Sequence, residues 1–168
     1  MDLISDEYRK LNTQLHAEIK EYGASGHRWA QMVRDVARTL AATTILDYGA
    51  GKRSLERALG FGIVNYDPAV EEISTPPLPA DLVVCTDVLE HIEPDRIDAV
   101  LDDLRRLTLL GGFFAVATRP AKKVLADGRN AHLIQQPVSW WMPKLFDRWQ
   151  VLQMNDAGHE FFVIVRPK

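Results

Sequence analysis

The 168 residues contain 46% hydrophobic and 26% charged side chains, enough apolar material for a core without disulfide staples and too much for a disordered chain. A net charge of -3 argues against a protein that coats nucleic acid or membrane surfaces, while leaving room for a small basic patch. The one cysteine, Cys85, sits in an apolar run, reads as a buried small hydrophobe and gives no sign of an oxidising compartment.

The acidic start MDLISDEYRK lacks a secretory apolar region, and no apolar run approaches the ~20 residues of a bilayer span. The expectation is a cytoplasmic protein with one domain over 1–168, N-terminal helices in 1–42 preceding a core in 43–168. Leu3, Ile4, Leu11, Leu15 and Ile19 recur at helical spacing between charged residues, which predicts a surface helix over 3–20. EYGASGHRW interrupts it. Tyr22, Gly23, Ser25 and Gly26 there read as a helix-to-helix turn, with a lid over a ligand as the alternative. Trp29, Met32, Val33, Val36, Ala37 and Leu40 mark a second amphipathic helix packed on the core.

TILDYGAGKRSL, residues 44–55, reads as a buried strand over 44–48, a glycine turn and a helix from about 52 to 59. Gly49 and Gly51 allow a sharp turn and a close approach to a ligand. The following helix start aims free N–H groups into the turn. Asp47 at the strand end is placed to meet a cation. A second strand over 62–66 ends in Asp67-Pro68, and three prolines between 69 and 80 keep the next segment irregular. DLVVCT, 81–86, is a continuous apolar strand of the parallel-sheet kind. Residues 95–110 predict a helix with Ile97, Val100, Leu101, Leu104 and Leu107 inward, Asp98, Asp102, Asp103, Arg105 and Arg106 outward, and Gly111-Gly112 as its cap. A buried strand over 113–118, a long polar loop over 119–137, a helix over 139–148 and antiparallel strands over 151–154 and 160–166 complete an α/β three-layer sandwich.

In open α/β sheets ligands lie at the carboxyl ends of the strands, and Asp47, Asp67 and Asp87 mark three such ends. Asp67, twenty residues after Asp47, has the spacing of a ribose-binding acid; an Asp-Pro turn is the plain alternative. Asp87, Glu90 and His91 form D-x-x-E-H, and His132 follows in GRNAHLI. Two carboxylates and two imidazoles suit a divalent cation. Alternatively Glu90 and His91 cap a helix and border substrate without metal, and His91 or His132 serves as general base. RPAKKVLADGR sets Arg119, Lys122, Lys123 and Arg129 against Asp127, as a guide for a phosphate-bearing substrate or as a solvated loop. Trp140 and Trp141 offer stacking surfaces, with one of the pair expected in the core and the other exposed.

Taken in succession, ILDYGAG, NYDP, DLVVCTDVLEHIEP and LLGGFFAVATRP resemble the motifs of class I S-adenosylmethionine-dependent methyltransferases, over residues 44–118; the closing hairpin is also similar to that family's last two strands. The resemblance implies a Rossmann-like methyltransferase fold with a mostly parallel sheet and a C-terminal antiparallel hairpin, shortened between the family's second and fourth strands. It implies S-adenosylmethionine as cofactor, with Asp47, Gly49, Ala50 and Gly51 at the methionine end and Asp67 with Pro68 at the ribose. Thr86, Asp87 and the rest of DVLEHI would border cofactor and acceptor.

Two departures stand out. Arg53 replaces a glycine common in the family, so Lys52 or Arg53 engages the cofactor carboxylate or is solvated. The helix-and-strand unit that supplies part of the adenine pocket is missing, leaving Ile73, Pro76, Pro77 and Leu78 as the local apolar candidates. D-x-x-E-H with a later histidine is similar to the E-x-x-E-H segment of small-RNA 3′-end 2′-O-methyltransferases, with a divalent metal at Asp87, Glu90, His91 and His132. Ubiquinone-pathway O-methyltransferases share a similar segment. The reading is methyl transfer to an O or N atom of a small, in one version phosphorylated, acceptor. The alternatives are metal-dependent RNA 3′-end methylation, which the acidity disfavours, and a degenerate cofactor-binding or interaction module. No residue pattern demands a dimer.

Overall fold

The computed structural model describes residues 3–19 and 21–168. Six strands form one sheet in the order β2-β1-β3-β4-β6-β5. They are β1 (Ile45–Tyr48), β2 (Val64–Tyr66), β3 (Ala80–Thr86), β4 (Thr108–Ala117), β5 (Trp149–Asp156) and β6 (Glu160–Pro167). The pairs β1–β2, β1–β3 and β3–β4 are parallel, and β6 runs antiparallel to both β4 and β5. The expected Rossmann-like sheet with its closing hairpin is therefore present.

β1 is buried throughout and β3 carries the continuous apolar run 82–85 because both faces of the sheet are covered. On one face Leu46, Val83, Cys85 and Phe114 pack with Leu101 and Leu104 of α4 (Ile97–Leu107) and with Trp141 and Leu145 of α5 (Val138–Arg148). On the other, Ile45, Leu82, Val84 and Phe113 meet Val33 and Val36 of α2 (Ala30–Leu40) and Leu55 and Leu59 of α3 (Ser54–Leu59). Successive strand residues alternate between these two cores, as the pleat requires. Each fully buried Val, Leu or Phe contributes roughly 1.5–3 kcal/mol, which is why the alternation holds the register. β2 stays at the edge: only a short 3₁₀ turn, Glu71–Ile73, interrupts the proline-rich stretch before β3, the expected shortening.

Three elements differ from the sequence expectation. The helix begun near residue 95 ends at Leu107, where Thr108 Oγ1 donates to the Leu104 carbonyl at 2.7 Å. Gly111 and Gly112 are strand residues opposite Leu82 and Val83, not a helix cap; the apolar run of β4 simply starts earlier. Asp103, placed on the outward face, is buried and accepts the Tyr48 hydroxyl at 3.1 Å while pairing with Arg106. Most consequential is α1 (Asp6–Glu18), capped by Ser5, whose side chain accepts the Tyr8 N–H at 3.1 Å. It is a surface helix with an exposed outer face, as expected, but its inner face covers neither sheet face: with Tyr8 and Leu15 it packs on Tyr22, Leu125 and Ala131. No described helix is long and apolar enough to cross a membrane.

Candidate active site

The turn after β1 is built on backbone groups. Gly49 N and Ala50 N both donate to the Tyr66 carbonyl, at 2.7 and 3.0 Å, which ties the end of β1 to β2. Gly49 (φ 83°) and Gly51 (φ 48°) sit in left-handed conformations. A Cβ at Gly49 would lie 2.3 Å from a Val88 methyl, and one at Gly51 2.7 Å from the Gly23 carbonyl oxygen, so both positions require glycine. Gly51 N and Ala69 N donate to the two oxygens of Asp67, at 3.0 and 2.9 Å. That fixes a buried carboxylate at the end of β2 and leaves it lone pairs for a further donor.

Asp47 is 5% exposed, and no described donor meets its carboxylate. Burial, followed by the neighbouring charges of Asp67 and Glu56, pushes its pKa up to about 7. At the end of β3, Asp87 adopts a left-handed conformation (φ 55°) and accepts the Ser25 hydroxyl at 2.6 Å. The 3₁₀ turn Leu89–His91 then carries Glu90 inward and His91 toward the cavity. Glu90 is fully buried; Oε1 accepts Ala117 N at 3.0 Å, while Oε2 has no partner. Burial, then Asp87, pushes its carboxyl up to about 8.

His91 Nδ1 lies 2.7 Å from the Ala131 carbonyl and His132 Nδ1 2.6 Å from the Arg119 carbonyl. A carbonyl only accepts, so each ring carries its proton on Nδ1 and keeps Nε2 as a bare acceptor. The rings meet edge to face, 4.8 Å apart. Burial, then His132, pushes His91 down to about 3; burial also lowers His132. Ligating atoms of Glu90, His91 and His132 lie within 4.8 Å of one another. Asp87 is not in that group.

A cavity of about 330 Å³ lies among these residues. Asp47, Gly49, Ala50, Asp67, Pro68, Thr86, Asp87, His91 and His132 line it, as do Arg119, Lys122 and Lys123 from the loop. Gly51 and Glu90 act from behind the wall, through Asp67 and Ala117. Among the described residues, the anticipated apolar wall of Ile73, Pro76, Pro77 and Leu78 does not line the cavity, and Leu78 is 83% exposed. Lys52 instead donates to the His16 carbonyl at 2.8 Å, and neither it nor Arg53 reaches the cavity. Trp141 is in the core and Trp140 is half-buried against it, both away from the cavity.

The missing wall is supplied by α1 and the residues before it. Leu3, Ile4, Tyr8, Asn12 and His16 all line the cavity. On one lip, Arg9 donates to the Pro68 carbonyl at 2.8 Å and Thr13 to that of Ala69 at 2.9 Å. On the other, Ser5 donates twice to Glu93 and the Tyr8 hydroxyl donates to the His91 carbonyl. The helix thus spans the cleft. Tyr22, weighed as a lid, closes the same roof, with its hydroxyl on Asn12 at 2.9 Å and 3.5 Å from His91 Nδ1. The sequence did carry a signal for this: Tyr8, Asn12 and His16 form an i, i+4, i+8 stripe beside Leu11 and Leu15.

The sequence matches the methyltransferase domain family over residues 9–162. No curated protein is a significant match. Among solved structures, the fold is similar to DhpI in complex with SAH (TM-score 0.66, 17% identity, covering 98% of each chain). It is also similar to the Burkholderia thailandensis 1,6-didemethyltoxoflavin-N1-methyltransferase (TM-score 0.65, 14% identity, 96% of this chain and 89% of that one). A third is the mitomycin 7-O-methyltransferase MmcR (TM-score 0.62, 19% identity, 92% of this chain and 60% of that one). With the sheet order, the glycine turn and the acids at three strand ends already in place, the chain belongs to the methyltransferase domain family and is a class I S-adenosylmethionine-dependent methyltransferase.

Proposed function

We propose that this protein transfers a methyl group from S-adenosylmethionine to an oxygen or nitrogen atom of a small-molecule acceptor. The carrying observation is that a cation-seeking buried carboxylate, Asp47, and a pre-fixed diol acceptor, Asp67, share one cavity with two bare imidazole nitrogens. These residues fit the cofactor: Asp47 for its amino group, the Gly49 turn for close approach, and Asp67 for the ribose hydroxyls. When bound, the cofactor supplies an electrophilic methyl group on a sulfonium. The chain's own work is alignment and exclusion of water, the main sources of rate in such a displacement. Nε2 of His91 and His132 accept the acceptor's O–H or N–H and so aim its lone pair. His91, held near a pKa of 3, orients but does not take up a proton; His132 is the base. α1, bonded to both lips, covers part of the cavity and limits the access of water. The solved relatives that carry N- and O-methyltransferase names, one with 1,6-didemethyltoxoflavin bound, support a small acceptor.

Calorimetry with S-adenosylhomocysteine tests the reading. Saturable binding to the wild type and about ten-fold or greater weakening in Asp67→Ala are expected; no binding at millimolar ligand overturns it. A second reading, a divalent cation on Glu90, His91 and His132, is favoured by one observation: Glu90 Oε2 is buried without a partner beside two imidazoles whose other nitrogens are already oriented. Metal content after dialysis, and activity in EDTA, decide between them.

A further inference from the structure

The loop 119–137 places three cations on the cavity wall that form no ion pair among the described residues. Arg119, Lys122 and Lys123 all line the cavity, and no described carboxylate lies within ion-pair distance of any of them. The other basic residues nearby are committed: Arg28 to Glu160, Lys52 to the His16 carbonyl and Arg129 to Asp127. Lys123 stands over the Tyr22 ring, 5.0 Å from its centroid, and that ring is 5.7 Å from His91. Of the acids that line the cavity, Asp67 takes Gly51 and Ala69, Asp87 takes Ser25 and Glu93 takes Ser5, while Asp47, which has no described donor, is the one that the proposed function assigns to the cofactor's amino group. Glu21 faces Lys123 and offsets one positive charge, so the loop's own face of the cavity keeps a positive surplus.

The loop backbone is fixed. Asn130 accepts Ala121 N at 3.0 Å and His132 N at 2.9 Å and donates to the Ala121 carbonyl at 2.9 Å. The two imidazole nitrogens beside this wall are bare acceptors, which repel an anion and attract an O–H or N–H. The cavity therefore presents two different demands side by side. We infer that the methyl acceptor is an anion, with a phosphate or carboxylate group held by Arg119, Lys122 and Lys123 and a neutral O–H or N–H held by His91 and His132. This rests on the methyltransferase reading.

The test titrates the protein, with and without saturating S-adenosylhomocysteine, with phenyl phosphate, benzoate and benzyl alcohol at constant ionic strength. Phenyl phosphate or benzoate is expected to bind saturably and be displaced by inorganic phosphate, with benzyl alcohol about ten-fold or more weaker; the phosphate and benzoate arms distinguish the two anions. Arg119→Gln and the exposed Lys122→Gln combined with Lys123→Gln should each weaken the anion about ten-fold while leaving S-adenosylhomocysteine affinity unchanged. Equal binding of anion and alcohol, or no effect of the substitutions, overturns the inference. So does loss of S-adenosylhomocysteine affinity in the loop variants, which would assign these cations to the cofactor's carboxylate. Failure of the wild type to bind S-adenosylhomocysteine refutes the methyltransferase reading instead, and the titrations without it still decide the anion site.

Discussion

Glu90→Gln probes the most strongly frustrated group of the site. The wild-type carboxyl is fully buried, satisfied at Oε1 by Ala117 N and unpartnered at Oε2. Burial, with Asp87, moves its pKa from 4.5 to about 8. The folded protein keeps a proton that the unfolded chain releases, so this group's stabilising contribution is whole below pH 4.5 and is lost as pH rises through 8. At pH 7 about 2.5 units of that window have been crossed, which at 1.36 kcal/mol per unit costs about 3 kcal/mol; the loss saturates near 5 kcal/mol above pH 8. Glutamine keeps the acceptor for Ala117 and puts an N–H₂ where the neutral acid has its unpartnered O–H, so it carries the same orphan without the titration. Urea unfolding in EDTA is expected to give coincident stabilities near pH 4 and a glutamine variant more stable by about 3 kcal/mol at pH 7. Parallel pH profiles would refute the reasoning. In the presence of added divalent metal, stabilisation of the wild type but not of the variant would instead support the metal-binding reading.

Asp47 can meet a cationic amino group only when ionised, and its pKa sits at about 7. S-adenosylhomocysteine affinity should therefore fall about ten-fold per pH unit below 7 and level off above it. Asp47→Asn should flatten that profile; a flat calorimetric profile for the wild type between pH 5.5 and 8 would contradict the assignment. Arg53 adopts φ 54° and ψ 37° at the start of α3, a left-handed conformation that costs an L-residue roughly 1–2 kcal/mol. Arg53→Gly should raise stability by about 1 kcal/mol in thermal unfolding, and a lowered Tm would show that the arginine side chain has a role of its own.

Much of the cradle was legible because it is local. A glycine turn, a strand of β-formers before it and an acid at the next strand end are short-range features whose conformational demands do not depend on distant contacts. The family resemblance then placed Asp47, Asp67 and the D-x-x-E-H turn at one edge of the sheet, and all three lie there. Boundaries failed where two periodicities abut. LTLLGGFFAVA continues a helical apolar face into a strand without punctuation, so the glycines read as a cap although they belong to β4. Asp103 failed for another reason: a polar residue on a helix reads as solvent-facing, and the Tyr48 hydroxyl across the core together with the Arg106 guanidinium makes its burial tolerable.

The sequence by itself determined the order of strands and helices, the two-sided burial of the sheet and the glycine turn with its acids. These follow from side-chain period and backbone freedom, properties each segment carries with it. Tertiary structure decided what lies opposite them. It laid α1 across the cleft in place of the missing unit, brought His91 against His132, buried Glu90 behind them, and left Arg119, Lys122 and Lys123 without an ion pair among the described residues while neutralising Arg129. An apolar stripe records that a face is buried, not against what. Charges and pKa values depend on distances between groups far apart in the chain, and those distances exist only once the sheet has assembled.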